Sequence, residues 1–299
     1  MTGTATSLHR RTHRKWICEP RRDFFARKLR AAWAKSDPVA AERALHAPAE
    51  RNEIMTWHTG PLAVLDLEAT GVDPATARIV EVALYVVDQY GNADPIVDTL
   101  VNPGVPMPAD AAAVTGITTA DLEARGANPA TILGQTVGAL DGLAREGVPI
   151  VIYNATYDWP LLAAELARDG LPILPNVPPA VIVDPLVLDR HVDRYRKGKR
   201  TLAATAKHYG VRLDGAHRAT ADAMVALAVT RALAARYPAV LGVDGPDLVV
   251  LQVAAHRAWR DSFNAYLRSS GAEGEPVSGD WPGMQDRPMN PNHDPVRHA

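Results

Sequence analysis

Residues 62–72 read LAVLDLEATGV. Five aliphatic residues in the first six positions predict a buried strand, yet Asp66 and Glu68 interrupt it with two carboxylates. At positions i and i+2 of a strand both side chains leave the same face. A bare charge in a dry sheet costs several kcal/mol unless it is paired or binds a cation. Alone, such a pair at a strand end is usually an edge or solvent-facing one. Thr70 and Gly71 follow directly, and Gly71 is expected to let the chain turn tightly, bringing a hydroxyl or amide near a ligand.

Outward from this strand the chain reads as a dense α/β pattern. RIVEVALYVVD (78–88) and IVDTLV (96–101) are two more strands, joined through the turn YGNAD, so the first three strands form an antiparallel meander. Helical stretches are expected near 109–124 and 129–146. A fully apolar strand, VPIVIYN, precedes a helix from TYDWPLL that ends at Gly170, and AVIVD is the fifth strand. Helices near 185–194, 201–209 and 217–236 complete the body. The order implies an α/β fold with a mixed five-stranded sheet flanked by helices.

The chain has 299 residues, 47% hydrophobic and 22% charged, as in a soluble globular protein with a sizeable core. Net charge is −2, but unevenly spread: residues 1–60 hold 12 Lys/Arg against 6 Asp/Glu. We therefore expect a basic, partly helical arm over 1–56, with Phe25, Leu29 and Trp33 on one helical face, able to touch nucleic acid or another acidic surface. A helix over 246–269 carries Leu251, Ala255, Trp259, Phe263 and Leu267 at helical spacing, so 241–270 is expected to cover the core. The Pro-, Gly- and acid-rich residues 271–299 are expected to be a disordered tail. Cys18 is the only cysteine, which excludes intrachain disulfides and a thiolate zinc site. With no secretory apolar segment after the N-terminal basic residues and no apolar run long enough to span a membrane, a cytoplasmic protein is expected.

Two further stretches bear on the Asp66/Glu68 pair. In NATYDWP, Asn154 ends a buried strand and Asp158 lies in the first turn of the next helix, where an acid also suits the helix dipole. In HRATADA, Asp222 sits on a face otherwise made of small apolar residues, five after His217 at a helix start. Together they supply four carboxylates and one imidazole near strand ends and helix starts. Such oxygen ligands suit Mg²⁺ or Mn²⁺, leaving the imidazole to move protons.

DLEATG, NATYD and HRATADA resemble the three motifs of the DnaQ-like, DEDDh-type 3′→5′ exonucleases, whose fold is ribonuclease H-like. The resemblance runs from about Leu62 to Ala235, and AAAVTGIT at 111–118 is similar to the segment between the first two motifs. It departs at Tyr157, where Phe is commoner, and at Thr115, where many relatives carry His. The resemblance implies an exonuclease domain over 57–240 that releases nucleoside 5′-monophosphates from the 3′ ends of DNA or RNA. It assigns two Mg²⁺ or Mn²⁺ to Asp66, Glu68, Asp158 and Asp222, and the role of general base to His217. It also implies contacts of Thr70, Gly71, Asn154 and Tyr157 with the substrate, single-stranded 3′ ends as partner, and a polymerase or replisome component as a further one. The alternative is a non-catalytic nucleic-acid or replisome interaction module of the same fold.

Overall fold

A computed structural model describes residues 56–171, 182–213, 218–243, 245–271, 274 and 276–283. The arm expected over 1–56, apart from Thr56, and His217 lie outside the described residues.

The sheet has the order β3-β2-β1-β4-β5, with β1 (Leu62–Ala69), β2 (Ile79–Val87), β3 (Ala93–Leu100), β4 (Ile150–Val151) and β5 (Ile182–Val183). β1 pairs antiparallel with β2 and parallel with β4, so the expected mixed sheet is the observed one. β1 and β2 are the core: Leu62, Val64, Ile79, Val80, Val82 and Leu84 are fully buried. At that depth each aliphatic side chain contributes ~1.5–3 kcal/mol relative to exposure. The ladder slips between Glu68 and Ala69, where Glu68 faces Glu81 but Ala69 faces Ile79. A bulge of this kind bends a strand end and re-aims its side chains.

Nine helices are described: α1 (Ala109–Thr115), α2 (Thr119–Arg125), α3 (Pro129–Arg145), α4 (Ala155–Arg168), α5 (Pro185–Val192), α6 (Leu202–Tyr209), α7 (Ala219–Arg236), α8 (Pro238–Leu241) and α9 (Gly245–Ser270). α7 crosses β1, β2 and β4. Its buried face of Ala219, Ala223 and Ala226 allows that close approach. The single helix expected over 109–124 is two. Gly116 takes φ 71° after α1, and Thr118 restarts the chain with a reciprocal capping box to Asp121. Thr115, one of the two departures from the family pattern, is buried, and its hydroxyl accepts from Ile117 N at 3.1 Å.

Two features depart from expectation. Gly71 does not make its turn through glycine's freedom, since its φ is not positive and a Cβ there would meet only Ala77 at 3.9 Å. Thr70 and Asp73 close the turn instead. Arg78 N donates to Thr70 Oγ1 at 2.9 Å, and Asp73 Oδ1 accepts from Ala75 N at 3.0 Å. The tail also packs in part. Trp281 is 4% exposed, and its indole N–H donates to Asp184 at 3.2 Å. Burying an indole outweighs the polar composition around it.

α9 lies along α5 and β5. Its fully buried Gln252 accepts from Asp184 N at 2.7 Å and donates to Ile182 O at 3.0 Å, pairing the edge of β5 with a side-chain amide. Among the described residues no helix is long and apolar enough to cross a membrane.

Candidate active site

Three elements end at one cavity of about 610 Å³, and each delivers acid to it: Asp66 and Glu68 from β1, Asp158 from α4 and Asp222 from α7. Asn154 and Tyr157 also line it. Thr70 and Gly71 stand outside the lining, and the Tyr157 hydroxyl donates to Gly71 O across the rim. Arg190, Lys199 and Arg200 line the same cavity. Sequence reasoning missed them. The basic run RYRKGKR at 194–200 was the available signal for two of the three.

Each acid is held by a device that can be traced to sequence. Asp158 depends on how β4 becomes α4. Asn154 takes φ 64°, ψ 51°, a left-handed conformation that Asn tolerates better than most residues. The Asp184 carboxylate accepts from Asn154 N at 3.1 Å and Ala155 N at 3.0 Å, and also caps α5 through Leu186 N at 2.9 Å. One buried acid thus seats the N-termini of two helices. Asp222 lies in the first turn of α7, whose start is fixed by the sheet. Buried Glu81 on β2 accepts from Ala219 N at 3.1 Å and pairs with the Arg218 guanidinium. On β3, Asp98 accepts from Thr220 Oγ1 at 2.9 Å.

The electrostatics of the acids follow from this crowding. Burial, then the charges of Asp158, Glu68, Asp222 and Glu81, push the Asp66 carboxyl well above the usual carboxylate range. Asp158 is likewise raised well above it, first by burial, with backbone amides of Asp158 and Leu67 pulling back. Glu68 is pushed up to about 7 by burial and by Asp222 and Glu81, against the opposing Arg218. Tyr157 is pushed up to about 12, by burial and then by Asp158 and Glu68. Buried and partly buried acids that raise one another's pKa are the electrostatic inverse of a divalent cation.

The donor set therefore fits Mg²⁺ or Mn²⁺ in chemistry and in charge. It is not drawn into a cage. Among the described residues, no three His, Cys, Asp or Glu side chains are grouped as ligands of one ion. Like charges resist convergence, and gathering three of them at one point takes side-chain rotation whose repulsive cost a cation offsets.

A family model described as Exonuclease, RNase_T, matches residues 63–230, more than half of the chain. DNA polymerase III PolC-type of Streptococcus agalactiae is 29% identical over 178 residues, covering 59% of this chain and 11% of the polymerase. The Streptococcus thermophilus protein of the same name is 30% identical over 161 residues, 54% of this chain and 10% of that one. The chain thus spans only a small part of these relatives' length. Among solved structures, E. coli Exonuclease I in complex with a dT13 oligonucleotide has a TM-score of 0.50 at 20% identity, covering 60% of this chain and 42% of that one. The zinc ion bound form of the E. coli ExoI–ssDNA complex has a TM-score of 0.52 at 20% identity, covering 61% and 42%. These likenesses show the fold to be the ribonuclease H-like fold of exonucleases. The segment matched by the family model holds all four acids and stops before α9.

Proposed function

Since the chain belongs to the RNase_T exonuclease family, in its DnaQ-like group, and is a nuclease, we propose that it hydrolyses phosphodiester bonds at the 3′ ends of DNA or RNA and releases nucleoside 5′-monophosphates. One observation carries this reading: four acids from three separate elements line one cavity, and at Asp66 the leading neighbouring charges that raise the carboxyl are other acids.

Asp66, Glu68, Asp158 and Asp222 would hold two Mg²⁺ or Mn²⁺. Bound there, the ions supply neutralisation of the phosphoryl oxygens and a lowered pKa for water. The residues do the rest. His217 takes the proton of the attacking water, and the P–O3′ bond breaks to leave a free 3′-hydroxyl on the shortened strand. Asn154 and Tyr157, on the cavity lining, face the terminal nucleotide, and Thr70 with Gly71 supports it from the adjoining turn. The catalytic domain spans 57–240. Trp57 anchors its start by donating from Nε1 to Leu241 O at 2.7 Å. The arm before it and the PolC-type relatives together support nucleic acid, and a polymerase or replisome component, as partners.

The test is purified protein with Mg²⁺ or Mn²⁺ on single- and double-stranded DNA and RNA, labelled at either end. The reading expects immediate mononucleotide release from 3′-labelled strands and a descending ladder from 5′-labelled ones, both stopped by chelation. Single-stranded DNA is the first substrate to try, because the similar Exonuclease I structures hold it. Ladders of the opposite polarity, or no cleavage of any substrate, would overturn the proposal.

A further inference from the structure

Beside the acids, the cavity lining holds three bases, and they are not equivalent. Arg200 is committed to the protein, with Nη2 donating to Asp193 O at 2.5 Å and Nη1 ion-paired to the Asp189 carboxylate. Lys199 stands exposed at the rim. Arg190 is mostly withdrawn from water, and burial lowers its pKa. Among the described residues no carboxylate is ion-paired to it, and the two acids whose charges act on it are engaged elsewhere. Asp184 accepts backbone N–H groups, and Asp189 pairs with Arg196 and Arg200.

What Arg190 does touch is an aromatic ring. Its Cζ lies 3.6 Å from the centroid of Trp259 on α9, and Trp259 is itself stacked on Phe263 at 5.7 Å and 14°. The indole takes one flat face of the guanidinium, an attraction worth ~2 kcal/mol when desolvated. A stack of this kind leaves the in-plane N–H fork unused. A desolvated guanidinium with its fork free is built for a bidentate oxyanion. In a cavity that the four acids also line, a strand's own phosphate is the anion brought into reach.

We propose that Arg190, positioned by Trp259 of α9, binds a phosphate of the substrate strand other than the one being cleaved. The inference rests on the exonuclease reading for the identity of the anion. It gives α9, which lies beyond the segment matched by the family model, a part in substrate binding.

The experiment compares a dinucleoside monophosphate, whose only phosphate is the scissile one, with a trinucleoside diphosphate, using the full chain. Arg190→Ala should cut the kcat/KM preference for the longer substrate about 10- to 100-fold, through KM, as expected for lost charge-assisted hydrogen bonds. Its dependence of log KM on log salt should be shallower by about 0.7, one phosphate's worth. Arg190→Lys should restore only part of the preference, because an ammonium cannot fork. Trp259→Ala should lose most of it, and Trp259→Phe should keep most. Equal losses on both substrates, or an unchanged preference, would overturn the proposal. A second readout does not need cleavage. In EDTA, anisotropy of a 5′-labelled trinucleotide should show binding weakened about tenfold by Arg190→Ala, on the same charge-assisted hydrogen bonds. That difference, found in a protein that cleaves nothing, would sink the exonuclease reading and leave the phosphate site standing.

Discussion

Glu81 and Glu68 face each other across the β1–β2 ladder, yet one belongs to the scaffold and the other to the site. Glu81 has the Arg218 guanidinium and the Ala219 amide. Glu165, fully buried on α4, pairs with Arg78 at 2.6 Å and Arg168 at 2.5 Å, and fully buried Asp189 pairs with Arg196 at 2.8 Å, with Arg200 and with the Tyr209 hydroxyl. The chain compensates these interior acids with side chains of its own. Around Asp66 and Glu68 the leading charges are other acids, with Arg218 only partly offsetting them at Glu68. The same folded sequence thus handles carboxylates in two ways within a few ångströms of ladder. In the second, burial and mutual repulsion leave the carboxyls well above their ordinary range, so a proton or a bound cation relieves them.

The contrast can be broken first at the site. Asp66→Asn and Asp222→Ala should each abolish nuclease activity on gels. Asp66→Asn should also raise the melting temperature in EDTA, since it removes a desolvated charge that repels its neighbours. A lowered melting temperature would make Asp66 a scaffold acid and dissolve the distinction. His217→Ala should lower kcat by ~10²–10⁴, the usual size of general base catalysis, with folding unchanged by circular dichroism.

On the scaffold side the signs reverse. Asp189→Asn leaves two buried guanidiniums short of their counter-charge and should cost ~3–5 kcal/mol in urea unfolding. Glu81→Gln should cost less, because Arg218 is half exposed. Saturating Mg²⁺ should stabilise the wild type by about 2.7 kcal/mol at a hundred times Kd, and Asp66→Asn much less. A last test is the pH dependence in EDTA. The Glu68 carboxyl is pushed up to about 7 in the folded protein against an ordinary 4.5. Between those values the native state binds the extra proton, so stability falls as pH rises through the window, by up to ~3 kcal/mol, and levels off above it. A stability that rises over the same range would mean the site acids are compensated after all.

Much of this was legible in the chain. The alternation around Asp66 and Glu68, the strand-to-helix junction before Asp158 and the small-residue face around Asp222 each predict local structure. The three elements that carry the four acids end at one cavity because the sheet order follows from short connections and a parallel crossover. What stayed hidden rests on contacts between distant segments whose side chains have ordinary local explanations. Trp259 reads as one residue of an apolar stripe, and nothing near Arg190 announces that the two will stack. Trp281 sits in a stretch whose composition argues against packing, and a single indole found a buried acceptor. Gly71 invited a conformational role that Thr70 and Asp73 perform.

Gln252 carries a consequence for assembly. By occupying Ile182 O and Asp184 N it behaves as a one-residue mock strand, so the β5 border offers no open hydrogen-bonding groups there to an incoming peptide. Recruitment by strand addition is therefore closed at that flank. At the far border, along β3, Pro95 and the acids Asp94 and Asp98 discourage indiscriminate pairing.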